Sequence, residues 1–154
     1  MSQRRLGAFL AAGLVLAAVD GVSAQAGSAW SGTSSGVGIG LIFGPRGGDP
    51  VFSLACVRGT REVLAIAYKV RPQAGREEAS LVVGQHRFAF IVKPQAMKEG
   101  RMLQASAKAG PELLAAIRSG QPIRFSYGAG QGGAYPPPPA ELARPFAERC
   151  GPLV

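Results

Sequence analysis

Residues 51–70, VFSLACVRGTREVLAIAYKV, decide the fold class. Phe52, Leu54 and Cys56 alternate with Ser53 and Ala55, the period-two signature of a strand that packs one face. Arg58-Gly59-Thr60-Arg61 interrupts the apolar run and supplies a glycine where a tight turn needs a positive φ. A second strand follows, with Leu64, Ile66, Tyr68 and Val70 on one face and the smaller Val63, Ala65 and Ala67 on the other. Two apolar faces imply a central hairpin with material on both sides.

Strand patterns continue on both sides of this hairpin. Upstream, the segment from Gly36 to Phe43 alternates glycine with Val37, Ile39, Leu41 and Phe43, which can share a face, while the glycines permit close backbone approach. A nucleotide-binding glycine loop would follow a strand and open a helix, and here the glycines lie inside the strand pattern. Gly44 to Pro50 is a turn segment. Downstream, Ser80–Val83 and His86–Val92 flank Gly84-Gln85, a two-residue connection whose leading glycine suits a type II′ turn. Pro94 to Gly100 reads as a turn, Arg101 to Ala107 as a weaker strand, and Pro122 to Tyr127 as the last strand. Between those two the period changes. Pro111 to Arg118 carries proline and Glu112 in its first turn, Leu113, Leu114 and Ile117 on one side, and Ser119-Gly120 as a stop, so it predicts a short amphipathic helix. Gly128 to Gly133 reads as flexible, and Pro136 to Pro139 as an extended strap. Leu142, Phe146 and Cys150 are spaced for one helical face, although Pro145 breaks a continuous helix and better opens a final turn.

The N-terminus specifies a compartment. Arg4 and Arg5 precede an apolar run from Leu6 to Val19, and small residues follow at Val22-Ser23-Ala24 and Ala24-Gln25-Ala26. This is the pattern of a secretory signal peptide over 1–24, with cleavage after 24 or after 26. The apolar run is shorter than the roughly 20 residues that span a bilayer as a helix, so no stable membrane span is expected after cleavage. Residues 27–35, small and polar except for Trp30, read as a flexible lead-in to a single β-rich domain over 36–154. The only two cysteines, Cys56 and Cys150, lie in that domain, and an oxidising compartment makes their disulfide the default. In the chain-entropy model so long a loop adds about 4 to 5 kcal/mol. The expected location is periplasmic or secreted.

The chain carries 17 basic and 9 acidic residues, a formal charge of +8, and loss of Arg4, Arg5 and Asp20 with the leader takes this to +7. Export removes nucleic acid from the expected partners and leaves an envelope or secreted protein, an anionic lipid or a glycan. The basic residues are scattered among turn residues, as solvated loops would be. Arg58 and Arg61 are the first candidates for contact with an anion or partner. The reactive groups form no constellation. His86, the one histidine, stands beside a turn with no acid or cysteine near it in sequence. Asp49 is the only aspartate beyond the leader, and no Gly-x-Ser-x-Gly or His-Glu-x-x-His motif occurs. No catalytic, cofactor-binding or metal-binding residues are therefore assigned, and no cofactor is expected.

The segments Trp30, Phe52-x-Leu54-x-Cys56-x-x-Gly59, Leu114-x-x-Ile117-x-x-Gly120-x-Pro122-Ile123 and Phe146-x-x-x-Cys150 resemble small exported bacterial Cys-linked β-sandwich proteins, a mostly uncharacterised group. There is a looser similarity to periplasmic lysozyme inhibitors, which are compact disulfide-linked β-barrels. The resemblance implies a Cys-linked sandwich and assigns no catalytic residue. The expected fold is mainly β, an antiparallel β-sandwich or flattened barrel with one short helix before the last strand and a short C-terminal helix. The expected function is a non-catalytic envelope binding or accessory protein rather than an enzyme. The alternatives are an inhibitor of a lytic enzyme or protease, presenting loop 44–50, 58–61 or 128–135, and a hydrolase whose residues meet only in space.

Overall fold

The computed structural model describes residues 27–93 and 102–151. The leader expected over 1–24 and the turn expected over 94–100 lie outside the described residues. Nine strands, β1 (Ser28–Ser34), β2 (Gly38–Pro45), β3 (Phe52–Val57), β4 (Glu62–Tyr68), β5 (Glu78–Val83), β6 (His86–Val92), β7 (Met102–Lys108), β8 (Ile123–Tyr127) and β9 (Gln131–Tyr135), make one antiparallel sheet. Two helices, α1 (Pro111–Arg118) and α2 (Ala140–Cys150), accompany it. The strand order is β1-β2-β3-β4-β7-β6-β5-β8-β9. Thus β1 to β4 form a meander, and β7 joins it to a second group made of the β5–β6 and β8–β9 hairpins. No described helix is long and apolar enough to cross a membrane.

The sheet curls into a half-barrel, and the curl is fixed by aromatic side chains on its concave face. Phe52 on β3 stacks on Tyr135 of β9, with centroids 4.5 Å apart and planes 8° from parallel. Phe43 and Phe125 lie against this pair, each 5.3 to 5.5 Å from one of its rings. Trp30 on the first strand packs on Phe43 and donates its indole N–H to the carbonyl oxygen of Pro136 at 2.7 Å, just past the last strand. The opposite ends of the strand order therefore meet through side chains.

Both added strands correct the sequence reading. Residues 27–35, expected as a lead-in, contain β1, so the folded unit begins before residue 36. The glycine-rich stretch expected to be flexible contains β9. Its Gly132 is required: φ is +127°, and a side chain there would run into the carbonyl oxygen of Phe125. With β9 present, α1 precedes the penultimate strand rather than the last. Val37, expected on the apolar face of β2, instead sits in the β1–β2 turn and is 70% exposed.

The two apolar faces of β4 divide unevenly. Val63, Ala65 and Ala67 are fully buried on the concave side, while Leu64, Ile66 and Tyr68 are half-buried on the convex side. Val70 leaves the latter set because Lys69 adopts a left-handed φ of 63°, which breaks the alternation and turns Val70 into the core. The β5–β6 connection is the two-residue turn expected, with Val83 opposite His86 and Gly84 at φ 59°. The phenol of Tyr127, buried on β8, accepts from the Gln73 N–H at 2.7 Å and so pins the β4–β5 loop.

Helix α2 lies against β2 and β3, and α1 packs on α2. Pro145 stands inside α2 without ending it, contrary to expectation. An interior proline costs a helix about 3 kcal/mol. The helix persists because Phe146, Ala147 and Cys150 bury the face that follows, and Leu142 packs where Gly32 of β1 leaves room. Cys150 is joined to Cys56 of β3, with Cα atoms 5.7 Å apart across a separation of 94 residues.

Burial pushes the Tyr135 phenol up to about 12 from 10.0. The folded state prefers the neutral form, so this contribution is intact below pH 10 and is lost as pH rises towards 12, on the order of 2 to 3 kcal/mol in total. Tyr135→Phe keeps the stack and should flatten the fall in urea midpoint over that range; an identical fall in the variant would refute the assignment. Replacing both cysteines, Cys56→Ser with Cys150→Ser, should lower stability by about 2 to 5 kcal/mol. The denatured, unreduced parent protein should titrate with no free thiol.

Candidate functional site

The best-defined site lies at the end of the half-barrel where the disulfide sits. Two turns form one wall. In the β1–β2 turn, the Ser35 hydroxyl accepts from the N–H groups of Val37 and Gly38 at 3.2 and 3.3 Å, and the Ser35 N–H bonds the Gly38 carbonyl at 2.9 Å. In the β3–β4 turn, Thr60 donates its hydroxyl to the Val57 carbonyl at 2.9 Å. Gly59 takes φ 86° and Arg61 φ 52°. Arg61 is one of two described non-glycine residues in the left-handed region, which disfavours a side chain by roughly 1 to 2 kcal/mol. Its carbonyl is held by the Ala109 N–H at 2.8 Å.

The two turns are tied together. The Arg58 N–H bonds the Val37 carbonyl at 2.8 Å, and Gly38 pairs with Val57 so closely that a side chain at 38 would strike the Cys56 carbonyl oxygen. The other wall is the last turn of α2, delivered by the disulfide. Between them opens a cleft of about 620 Å³, lined by Arg58, Arg61 and Arg149, by Glu148, and by an apolar floor of Ile39, Val57 and the cysteine pair. Arg149 donates from its guanidinium to the Ser34 hydroxyl. Three arginines from separate parts of the chain thus face one opening against a single glutamate. Such a concentration of cations beside low-dielectric walls focuses a positive potential on the cleft.

The structure therefore places Arg58 and Arg61, the residues singled out from sequence, in one site with Cys56 and Cys150. Arg149 was missed, although a signal existed. Arg58 stands two residues after Cys56 and Arg149 one residue before Cys150, so a disulfide between those cysteines must bring the two arginines near each other. A larger hollow of about 780 Å³ on the convex side is lined by Arg76 and Arg87 but also by Glu77 and Glu78. Its two arginines face two glutamates, so it concentrates no net charge, and Arg87 donates to the Ser80 hydroxyl at 3.0 Å. His86 is exposed, with Phe88 as its ring neighbour at 6.4 Å. Among the described residues, no three His, Cys, Asp or Glu side chains come together as a metal site would require.

The chain matches no protein-family model, no curated protein and no solved structure. The site is accordingly read from its own chemistry. It has cations held by backbone on one wall and by a covalent bond on the other, with apolar surface between them.

The close approach at Gly38 makes the architecture of the cleft testable. Gly38→Ala must push the β1–β2 turn off β3 and should destabilise the protein by about 1 to 3 kcal/mol, as overpacking does. An unchanged urea midpoint would show that the two turns separate freely.

Proposed function

We propose that the protein is a non-catalytic binding or accessory module of the cell envelope or exterior, and that it holds an anionic partner in the cleft at the disulfide end. The observation that carries this reading is the convergence of Arg58, Arg61 and Arg149 on one open cleft with Glu148 as its single acid. Guanidinium groups are suited to such a role. They stay charged, are weakly hydrated and present a planar fork that fits carboxylate or phosphate oxygens.

The compartment follows from the leader pattern of residues 1–24 and from the resemblance to exported Cys-linked β proteins. The Cys56–Cys150 pair is compatible with it, because disulfides persist in oxidising surroundings. A periplasmic or secreted protein of net charge +7 meets acidic polymers and lipid head groups at every surface. Placing three arginines at one site turns a diffuse attraction into a located one.

The test separates site from bulk charge. Replacing Arg58, Arg61 and Arg149 with Ala should markedly lower the salt concentration that elutes the oxidised protein from immobilised heparin. A charge-matched variant with Arg76, Arg87 and Arg124 replaced by Ala should lose much less. Equal losses in the two would reduce the interaction to net charge and remove the cleft from consideration. Screening by salt should weaken the parent interaction in either case.

A further inference from the structure

Three large hydrophobic side chains are exposed among the described residues: Val37 at 70%, Val57 at 38% and Ile91 at 54%. Two of the three stand together. Val37 is at the β1–β2 turn and Val57 opens the β3–β4 turn, and the Arg58 N–H to Val37 carbonyl bond of 2.8 Å ties them to one rim. The same rim carries Arg58 and Arg61, and Arg149 faces it across the cleft. From these observations we infer that the anionic partner is a lipid surface. The two valines enter the boundary between head groups and acyl chains, while Arg58, Arg61 and Arg149 take head-group phosphates around them. The inference rests on the reading of the cleft as the anion site.

The rim and a bilayer have complementary chemistry. A soluble anionic polymer offers oxygen atoms to the arginines and nothing to two exposed valines. A bilayer offers both within a few ångströms, an anionic layer and an apolar one beneath it, and peripheral proteins bind it by burying apolar area while basic residues meet the head groups. The tips are also braced for insertion. The Ser35 hydroxyl fixes one turn and Thr60 the other, so little conformational freedom remains to be lost when they dock. Ile91, the third exposed residue, lies on β6, away from this rim, and takes no part.

The experiment uses the purified, oxidised protein with phosphatidylcholine vesicles, with and without phosphatidylglycerol, read by co-sedimentation, and heparin retention measured in parallel. Binding to the anionic vesicles and not to the neutral ones is expected. Val37→Ser should weaken vesicle binding by about fivefold, in line with the apolar area withdrawn, and leave heparin retention unchanged, because Val37 stands outside the lining of the cleft. Val37 is 70% exposed in a turn, so folding is not at stake. Arg58, Arg61 and Arg149 replaced together by Ala should weaken vesicle binding by about a hundredfold at low salt, near a factor of five for each charge. A tryptophan placed by Val37→Trp should shift its emission to the blue on anionic vesicles.

Vesicle binding unaffected by Val37→Ser, or no emission shift from the tryptophan, would overturn the lipid assignment while leaving the anion site standing on its heparin result. Equal binding to neutral vesicles would overturn it by removing the role of the arginines. Loss of neither heparin nor vesicle binding in the arginine variant would instead bring down the anion site itself.

Discussion

The stack of Phe52 on Tyr135 is the contact from which the rest of the arrangement follows. It joins the third strand to the ninth across the concave face and so converts a long sheet into a half-barrel with an enclosed core. An aromatic pair of this geometry adds about 0.5 to 1.5 kcal/mol beyond the area it buries. Its larger effect is positional. With β9 held against β3, Pro136 comes under the indole of Trp30, the proline segment after it is directed across the first strands, and α2 begins where it can lie on β2 and β3. Cys150 then arrives within bonding range of Cys56. The functional end of the molecule is thus the last consequence of a contact made at its centre.

The curl also deals with the edges that an open sheet leaves exposed to pairing with other chains. β1 is guarded by side chains: Trp30 reaches Pro136, and Arg149 reaches the Ser34 hydroxyl from the helix above. β9 is only five residues long and rich in glycine, and Gly132 departs from strand dihedrals. Neither edge presents a long apolar strand. The polar residues Ser31, Thr33 and Ser34 of β1, which look like linker in the sequence, are what such an edge requires.

Much of this was legible in the sequence wherever local pattern and tertiary role agreed. The β3–β4 and β5–β6 hairpins, the helix from Pro111 to Arg118 and the pairing of the two cysteines could all be read because period, turn chemistry and capping pointed the same way. β1 and β9 were lost because serine and glycine carry little strand preference, and these segments are strands by virtue of the partners that the curl supplies. The half-buried face of β4 was indistinguishable from its core face because both are apolar, and Val70 was assigned to the wrong face because no composition rule announces the left-handed backbone of Lys69. The continuous α2 was missed for the converse reason. A correct local rule about Pro145 was overridden by Phe146 and Cys150 on the buried side. At the site, Arg58 and Arg61 were visible as neighbours in sequence, whereas Arg149 and Val37 join them only through the fold.

The placement of the disulfide bears on which link of this chain it serves. Helix α2 is already held to the sheet by Phe146 and Ala147, and the core beneath it is closed by the packing of Trp30, Phe43, Phe52, Phe125 and Tyr135. What lies beyond Phe146 is a single turn carrying Glu148, Arg149 and Cys150, and helix ends fray when nothing holds them. The bond from Cys150 to Cys56 therefore acts most strongly on the position of Arg149 relative to Arg58, which is the spacing on which a shared anion would depend. The opposing wall is fixed by different means, a glycine at 38 and a left-handed residue at 61, and both are local features that sacrifice some backbone freedom or stability. Covalent restraint on one side and backbone constraint on the other hold three arginines around one cleft with a single acid, Glu148, among them. Such an arrangement costs the isolated protein some electrostatic repulsion, and that repulsion is relieved when an anion enters.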